Sequence, residues 1–502
     1  MNILLATMLA ATMHTPGVVI DDSPTRVQTD IKIDMEIMGT LRPKSVSEIS
    51  SSRWTLDCGG MDREHADWRA VRGYVAPLGI ARIRQQAGWA RCEKDPGMYD
   101  FAWLDQCVLD AKRMGVDVWM ELSYGNPAYE GGGGRHLNAG FPSSEEGLAA
   151  WDRWVRAIAE HYKGVVIDWC IWNEPNGKTS GNTIEQATDF AVRTAEILRG
   201  IIPDARIAAF ALTEADPKWI EPFVKELEKR GKAYLFNTIA YHHYKHNPDT
   251  GYEEVEESRR IVARHTPNIR LMQGEGGTQS EWCRNGALSN VFWTELTQAK
   301  YDLRRSLGDL GHGDDTEVFH LCDLEYRAVK RHYGLLRYGL LKTAGQADGF
   351  RVLKVKTAYY AIQNAVSVFN DALECLSPER TGSTLQGVEN CVVYDWKDRE
   401  TDTPVVVFWD ASAMPSNDNI TRQATVSVAG NPIQNPVWVD LLTGNVYKIE
   451  ESHIERSEGR TVYTVPVYDS PAFITSQDIL ALDQSWFVRE GKNMKKIGRA
   501  HV

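Results

Sequence analysis

Val165-Val166-Ile167-Asp168-Trp169-Cys170-Ile171-Trp172-Asn173-Glu174 and Ile269-Arg270-Leu271-Met272-Gln273-Gly274-Glu275 are the stretches from which the fold is read. Each is an apolar, strand-like run that delivers a carboxylate where strand gives way to loop, at Asn173-Glu174-Pro175-Asn176 and at Glu275-Gly276-Gly277. In a (β/α)₈ barrel the C-terminal ends of the strands carry the chemistry.

Working outward, strand-like and helix-like segments alternate from Arg53 to Asn370, the pattern of βα units. Strands are expected at Trp54 to Gly60, Ala81 to Trp89, Val116 to Leu122, the run ending at Glu174, Ala205 to Leu212, Phe236 to Tyr244, Ile269 to Glu275, and Glu317 to Asp323. Between them, Trp68, Val71, Val75 and Leu78 share a helical face closed by Gly79. Asp100 is placed to cap a helix burying Leu104, Cys107, Val108, Ala111 and Met114. Thr183 and Gln186 make a capping box. Eight such strands predict one TIM barrel over 51–370 with loop insertions. The rival, a doubly wound sheet, lacks a glycine-rich phosphate loop after its first strand. Glycines 131 to 134 read as a mobile loop after strand three, and no Gly-Lys-Ser/Thr follows them.

From about Asp371 the texture changes to short strands separated by Asp, Asn, Gly and Pro: Val392 to Tyr394, Pro404 to Trp409, Ala424 to Val428, Pro436 to Leu442 and Arg460 to Val467. That predicts an accessory antiparallel β-sandwich over 371–482, with a turn at Leu442-Thr443-Gly444-Asn445. Ile31 to Ile37 alternates strictly and is expected to be a strand that joins the sandwich from the 18–50 segment. Residues 1–17 form a signal-like segment, although Met1 to Met13 lacks a basic start and a small-x-small cleavage site. Residues 483–502 read as a tail. Its last stretch, Lys496-Ile497-Gly498-Arg499-Ala500-His501-Val502, matches the in-frame translation of a common sequencing adapter and is expected not to be native.

Composition narrows the partners. The net charge of −12 argues against nucleic acid or an anionic membrane surface, and no stretch is long and apolar enough to span a bilayer. The eight cysteines show no Cys-x-x-Cys pair and no zinc spacing, and several lie in apolar runs. This usage favours a cytoplasmic location, with export to the periplasm or medium as the alternative and a Cys375–Cys391 pair left open. Sixteen Trp and nineteen Tyr offer flat faces for sugar rings, though most serve the core.

Two facing carboxylates are the minimal equipment for breaking a glycosidic bond, one as proton donor and the other as nucleophile or base. Glu174 lies below Trp172, and an aromatic, desolvated setting raises a carboxyl pKa, as a proton donor needs. Glu275 precedes two glycines, expected to let backbone and substrate approach closely. On strand six Thr238, Ala240, His242 and Tyr244 share one face, with small residues at the base and polar rings at the mouth. On strand two Arg82, Arg84 and Gln86 share a face, and Arg84 is the expected cation beside the nucleophile. Asp323 and Glu325 either bind sugar hydroxyls or pair with Arg327 or Arg331. Trp89, Tyr124, Asn126 and Trp282 complete the candidate sugar-binding set. The histidines of His242-His243-Tyr244-Lys245-His246 invite a metal, but the i, i+4 pair needs a helix and this segment reads as strand. No metal and no cofactor is expected.

With Asn173-Glu174 after strand four and Glu275 after strand seven, the chain resembles the retaining clan-A glycoside hydrolases. His242-x-Tyr244 and the sandwich bring it nearest to glycoside hydrolase family 39 and its uncharacterised relatives. Gln86-Ala87-Gly88-Trp89-Ala90, Tyr99 to Asp105 and Ser123-Tyr124-Gly125-Asn126-Pro127 are similar as well, and the likeness spans roughly residues 50 to 480. The resemblance implies double displacement. Glu174 would be acid and base, Glu275 nucleophile and Asn173 a partner of the 2-hydroxyl, while Tyr244 would hold Glu275 with His242 in support. Two positions depart from the family. Glu275 is followed by Gly-Gly in place of Trp, and Gln86 stands where a His is expected, so xylosidase or iduronidase specificity does not transfer. Strict alternation also cannot turn both Asn173 and Glu174 inward, so the strand end must be irregular. Retention expects the carboxyls about 5–5.5 Å apart, and a gap above ~6.5 Å means inversion. The expected activity is a retaining, exo-acting glycosidase on oligo- or polysaccharide. The rivals are a non-catalytic carbohydrate-binding protein on a barrel scaffold and a transglycosylase.

Overall fold

The computed structural model describes residues 27, 29–137, 139–329, 332–376, 382–485, 487–490 and 493–496. The signal-like segment 1–17 and residues 497–502 lie outside the described residues.

Eight parallel strands form the barrel: Trp54–Asp57, Arg82–Gln86, Asp117–Glu121, Asp168–Cys170, Arg206–Leu212, Thr238–His242, Arg270–Glu275 and Thr316–Val318. The first seven pair in chain order, and the first also pairs with the eighth. Between the seventh and eighth, the Gln273 N–H donates to the Asp315 carbonyl (3.1 Å), and the Gln273 side chain accepts from Glu317 N–H (2.6 Å). The barrel is a TIM barrel, with each expected strand present and trimmed at its ends. Its interior holds Trp119, Cys170, Ala208, Ala211, Ala240 and Met272, small residues packed around one indole. The helices outside follow their caps: the Thr183–Gln186 capping box opens Ile184–Ile201, and Asp216 with Pro217 opens Pro217–Lys229. Asp100 accepts from Ala102 N–H at the start of Ala102–Arg113. The first expected helix is instead broken into Trp68–Val71, a 3₁₀ turn at Arg72–Tyr74, and Val75–Leu78.

Two antiparallel sheets follow. One has eight strands, including Cys391–Asp398, Pro404–Asp410, Pro436–Asp440 and Ala472–Ser476; the other has four, centred on Arg422–Ala429 and Arg460–Val467. Their facing sides bury Val406, Phe408, Val426, Trp438, Tyr463 and Ile474. The N-terminal strand is Ile37–Leu41, paired antiparallel with Asn445–Lys448 of this sandwich. The alternating Ile31 to Glu36 is not itself laddered. It leans Ile33 and Met35 on the sandwich core, and at its end the Glu36 carbonyl accepts from Lys448 N–H (2.8 Å).

Two further differences shape the site. After the eighth strand, hairpins Leu324–Val329/His332–Leu336 and Leu341–Thr343/Val352–Val355 precede helix Thr357–Val368. The glycines at 131–134 form a packed turn: Gly134 and Gly132 carbonyls accept from Gly125 and Asn126, and Gly131 accepts from Ser143. The Cys375–Cys391 pair does not form, since both thiols are free.

Candidate active site

Glu174 reaches the cavity through a break in strand four. The ladder ends at Cys170, Asn173 bridges Ala211, and Glu174 N–H donates to the Ala211 carbonyl (2.7 Å) with φ at +50°. A non-glycine residue in the left-handed region is strained, and here the turn is what presents two successive side chains to one side. Glu275 ends strand seven opposite His242, just past a register shift between Tyr241 and His242 that skips Gly274. The two carboxylates meet at one imidazole: His242 Nδ1 lies 3.0 Å from Glu174 Oε1, and its Nε2 lies 3.5 Å from Glu275 Oε2. They sit in a cavity of about 500 Å³ at the C-terminal ends of the strands.

Glu275 is held from both sides. Tyr244 donates to Oε1 (2.8 Å) and Arg84 Nη1 donates to Oε2 (2.6 Å). Arg84 is fully buried, and its other donors go to Asp57 (2.8 Å), Glu121 (2.6 Å) and Asn173 Oδ1 (2.7 Å). Asn173 Nδ2 donates to the Tyr124 hydroxyl (2.7 Å), which leaves its second amide N–H for a ligand. Gln86 donates to Glu121 (2.9 Å), while its Oε1 accepts from Gly60 N–H (3.0 Å) and Arg63 (2.5 Å). Gln86 therefore fixes Arg63, whose guanidinium also pairs with Asp62 and lies over the Tyr124 ring.

The expectation that an aromatic lid raises Glu174 is corrected. Burial does push its carboxyl up, but the His242 hydrogen bond and charge, with Arg84 behind them, pull it below the ordinary value. Burial pushes His242 down, and the charge of Glu275 and the bond to Glu174 more than reverse this, so its pKa is raised. The pair shares one proton and titrates as a unit. Trp172 is not a lid; it is buried against Tyr124, Phe141, Trp151 and Phe190 behind the strand.

Arg84, Gln86, Asn173, Glu174, Tyr244 and Glu275 line the cavity. His242 lies behind the wall, fully buried against both carboxylates, and Tyr124 sits directly behind Asn173. Four candidates do not belong there. Trp89 is core, stacked between Trp154 and Tyr129 with its indole N–H on Glu93 (2.5 Å). Asn126 is buried and ties Glu93 O (2.7 Å) to Ala128 N–H (3.0 Å). Asp323 is a buried ion-pair partner of Lys356 (2.7 Å) and Arg337 (2.8 Å), and Glu325 accepts from Gln346 N–H (2.5 Å). Trp282 is half exposed on the loop after strand seven, outside the cavity wall. The two glycines after Glu275 serve the barrel and not a ligand, since a Cβ at Gly277 would strike the Phe319 carbonyl and one at Gly276 the Gln273 amide.

Sequence reasoning missed Asp57, Glu121, Glu317 and His320 around Arg84, and Arg63, His65, Tyr326 and Tyr338 in the wall. Asp57 and Glu121 end barrel strands as Glu174 and Glu275 do, so the same signal marks them. Tyr326 and Tyr338 come from the insertion after strand eight, and no periodicity points to them. Among the described residues no group of three His, Cys, Asp or Glu side chains is placed to hold a metal ion, and no helix is long and apolar enough to cross a membrane.

No protein-family model and no curated protein matches the chain. Among solved structures it is similar to a family 39 glycoside hydrolase from the gut symbiont Bacteroides cellulosilyticus WH2, with a TM-score of 0.61 at 16% identity over 85% of this chain and 81% of that one. It is also similar to a monomeric β-xylosidase from Caulobacter crescentus CB15 (TM-score 0.53, 15% identity, 88% and 98% covered). A family 30 subfamily 8 xylanase from Clostridium acetobutylicum is a third (TM-score 0.53, 13% identity, 89% and 98% covered). At these identities the likeness establishes a shared barrel-and-sandwich fold.

Proposed function

We propose that the protein is a retaining O-glycosidase acting on oligo- or polysaccharide, with Glu275 as nucleophile and Glu174 as acid and base. The observation that carries this reading is the single imidazole touched on one nitrogen by each carboxylate, within a cavity at the strand ends. The fold shared with a family 39 glycoside hydrolase, a β-xylosidase and a xylanase supports it.

The chemistry follows from the contacts. Glu275, oriented by Arg84 and Tyr244, attacks the anomeric carbon, while the proton shared by Glu174 and His242 passes through Glu174 to the leaving oxygen. Once Glu275 is esterified its charge is gone, and with it the strongest influence raising His242. The shared proton has left with the leaving group, so His242 is neutral; without its charge burial pushes Glu174 back up, and Glu174 becomes the better base for the incoming water. The free amide N–H of Asn173 is placed for the 2-hydroxyl, and Arg63 for a second polar group of the same sugar. Arg135, His136 and Leu137, just after the glycine turn, close one side of the cavity, which favours action at a chain end.

The test is turnover of a broad panel of aryl glycosides by the intact protein, Glu174→Gln and Glu275→Gln. Glu275→Gln should lose essentially all activity. Glu174→Gln should keep more of it on substrates with good leaving groups, where no proton is needed. Equal, negligible turnover by all three proteins would leave a binding protein. NMR of the first-formed anomer should show retention, and inversion would reassign Glu275 as a general base.

A further inference from the structure

Beneath Glu275 lies a buried cluster that the displacement steps do not themselves use. Asp57, at the end of strand one, accepts from Arg84 Nη1 through Oδ2 (2.8 Å) and from Gly59 N–H through Oδ1 (2.6 Å). Glu317, on strand eight, lies 3.4 Å from the same Arg84 nitrogen, and Glu121, on strand three, takes Nη2. Arg84 alone would thus face Asp57, Glu121, Glu275 and Glu317, all but Glu275 fully buried. One cation does not offset that many desolvated carboxylates.

His320, just past strand eight, is the other candidate cation. Its Nε2 lies 3.1 Å from the Gly59 carbonyl and 3.2 Å from Asp57 Oδ1; its Nδ1 lies 2.8 Å from the Cys322 carbonyl. Acceptors face both ring nitrogens. Among the described residues the one donor beside the ring is Cys322 N–H, 3.1 Å from Nδ1, and it competes there with a shorter contact to a carbonyl. An imidazole between acceptors satisfies them only by carrying both protons.

We propose that His320 is a standing imidazolium and a positioning residue for the glycosidase site, neutralising Asp57 so that Arg84 is left to hold Glu275. The inference rests on the glycosidase reading for its effect on rate, but not for the charge state. The surrounding groups agree. Burial lowers His320, but its bonds to Asp57 and Cys322 raise it to about 10. Burial and the nearness of Asp57 push Glu317 far up, so it is neutral. The Cys58 thiol beside Asp57 is likewise kept neutral by burial. With the His242–Glu174 pair neutral as a unit, two cations stand against Asp57, Glu121 and Glu275, one net negative charge remains, and Glu275 is the most exposed of the three carboxylates.

The test begins with the intact protein labelled with ¹⁵N-histidine. The His320 signal, assigned by its absence from His320→Gln or, should that variant not fold, from His320→Asn, should show both nitrogens protonated. It should not titrate between about pH 5.5 and 8.5, where ordinary imidazoles do. A bare ring nitrogen at neutral pH, or a titration in that window, would overturn the proposal whether or not any glycoside is cleaved. Second, removing a cation makes protonation of the cluster easier. His320→Gln should therefore lower kcat more than it raises KM and move the acid limb of kcat/KM up by about one pH unit. Adding Asp57→Asn deletes the matching anion and should return the limb toward its original place. Lower activity with an unmoved acid limb would reduce His320 to a packing role.

Discussion

Tyr244 shows how much one hydrogen bond is asked to do. Its hydroxyl is the only donor on Glu275 Oε1 among the described residues, and a bond to a charged group contributes about 1.5–3 kcal/mol. Tyr244→Phe should therefore cost about 10- to 100-fold in kcat/KM with little loss of stability, measured on an aryl glycoside the intact protein cleaves. An unchanged rate would mean that Arg84 orients the nucleophile alone. The same scale explains which site residues were legible. Glu174, Glu275, Arg84 and Tyr244 are polar side chains at inward positions of strand ends, where burial without function is costly. Trp89, Asn126 and Asp323 carry the same residue chemistry near strand ends. Their partners are Glu93, one helical turn after Trp89 but 33 residues before Asn126, and Lys356 with Arg337 for Asp323. A partner's identity, not the residue type, separates a ligand contact from a satisfied core group.

At the scale of elements, the barrel strands divide their work by height. Arg82, Arg84 and Gln86 on strand two face one way, and only the upper two reach the cavity. Arg82 sits at the bottom with Arg53 and Arg270 around Asp315, which leads into strand eight. Burial raises Asp315, but the guanidinium charges outweigh it and hold its carboxyl below the usual range. A depressed carboxylate stabilises the fold above its unfolded pKa, and that contribution disappears as pH falls through the folded value. Asp315→Asn should thus lower stability at pH 7 by about 2–4 kcal/mol, leaving glycosidase kinetics nearly unchanged. The gap to the intact protein should shrink below about pH 4, as followed by denaturant unfolding at several pH values. A gap that stays constant with pH would show that packing, not charge, is lost.

Barrel and sandwich meet at helix Thr357–Val368, where Asn364 donates to the Leu441 carbonyl (3.0 Å), and more extensively at a second helix. Glu295–Gly311 is buried from Thr297 onward on every side, although it carries Lys300, Arg304 and Arg305. Lys300 bonds Asp469 (2.6 Å) and the Asp418 carbonyl (2.6 Å), while Arg304 bonds Asp249 of the barrel and the Ala413 carbonyl (2.9 Å). Trp409 of the sandwich also donates to Asp249 (3.0 Å). These contacts bind barrel and sandwich into one unit, so calorimetry of the intact chain should give a single transition. Arg304→Ala strands a buried Asp249 and should cost about 3–5 kcal/mol, lowering that transition without splitting it. Two separable transitions in the intact protein would show that the sandwich is an independent module.

Local pattern determined much of this. Apolar runs with turn signals between them specify the alternation of strand and helix, because burying such runs leaves few architectures. The change of texture after Asp371 marks the sandwich for the same reason. The positions of Glu174 and Glu275 at strand ends were readable too. Tertiary structure alone decided what surrounds them: the left-handed turn at Glu174, the imidazole between the carboxylates, the wall supplied by the insertion after strand eight, and the charges packed around Arg84. Periodicity records only which face of an element avoids water. Protonation and orientation depend on the fields and hydrogen bonds of groups distant in the chain, which only folding brings within reach.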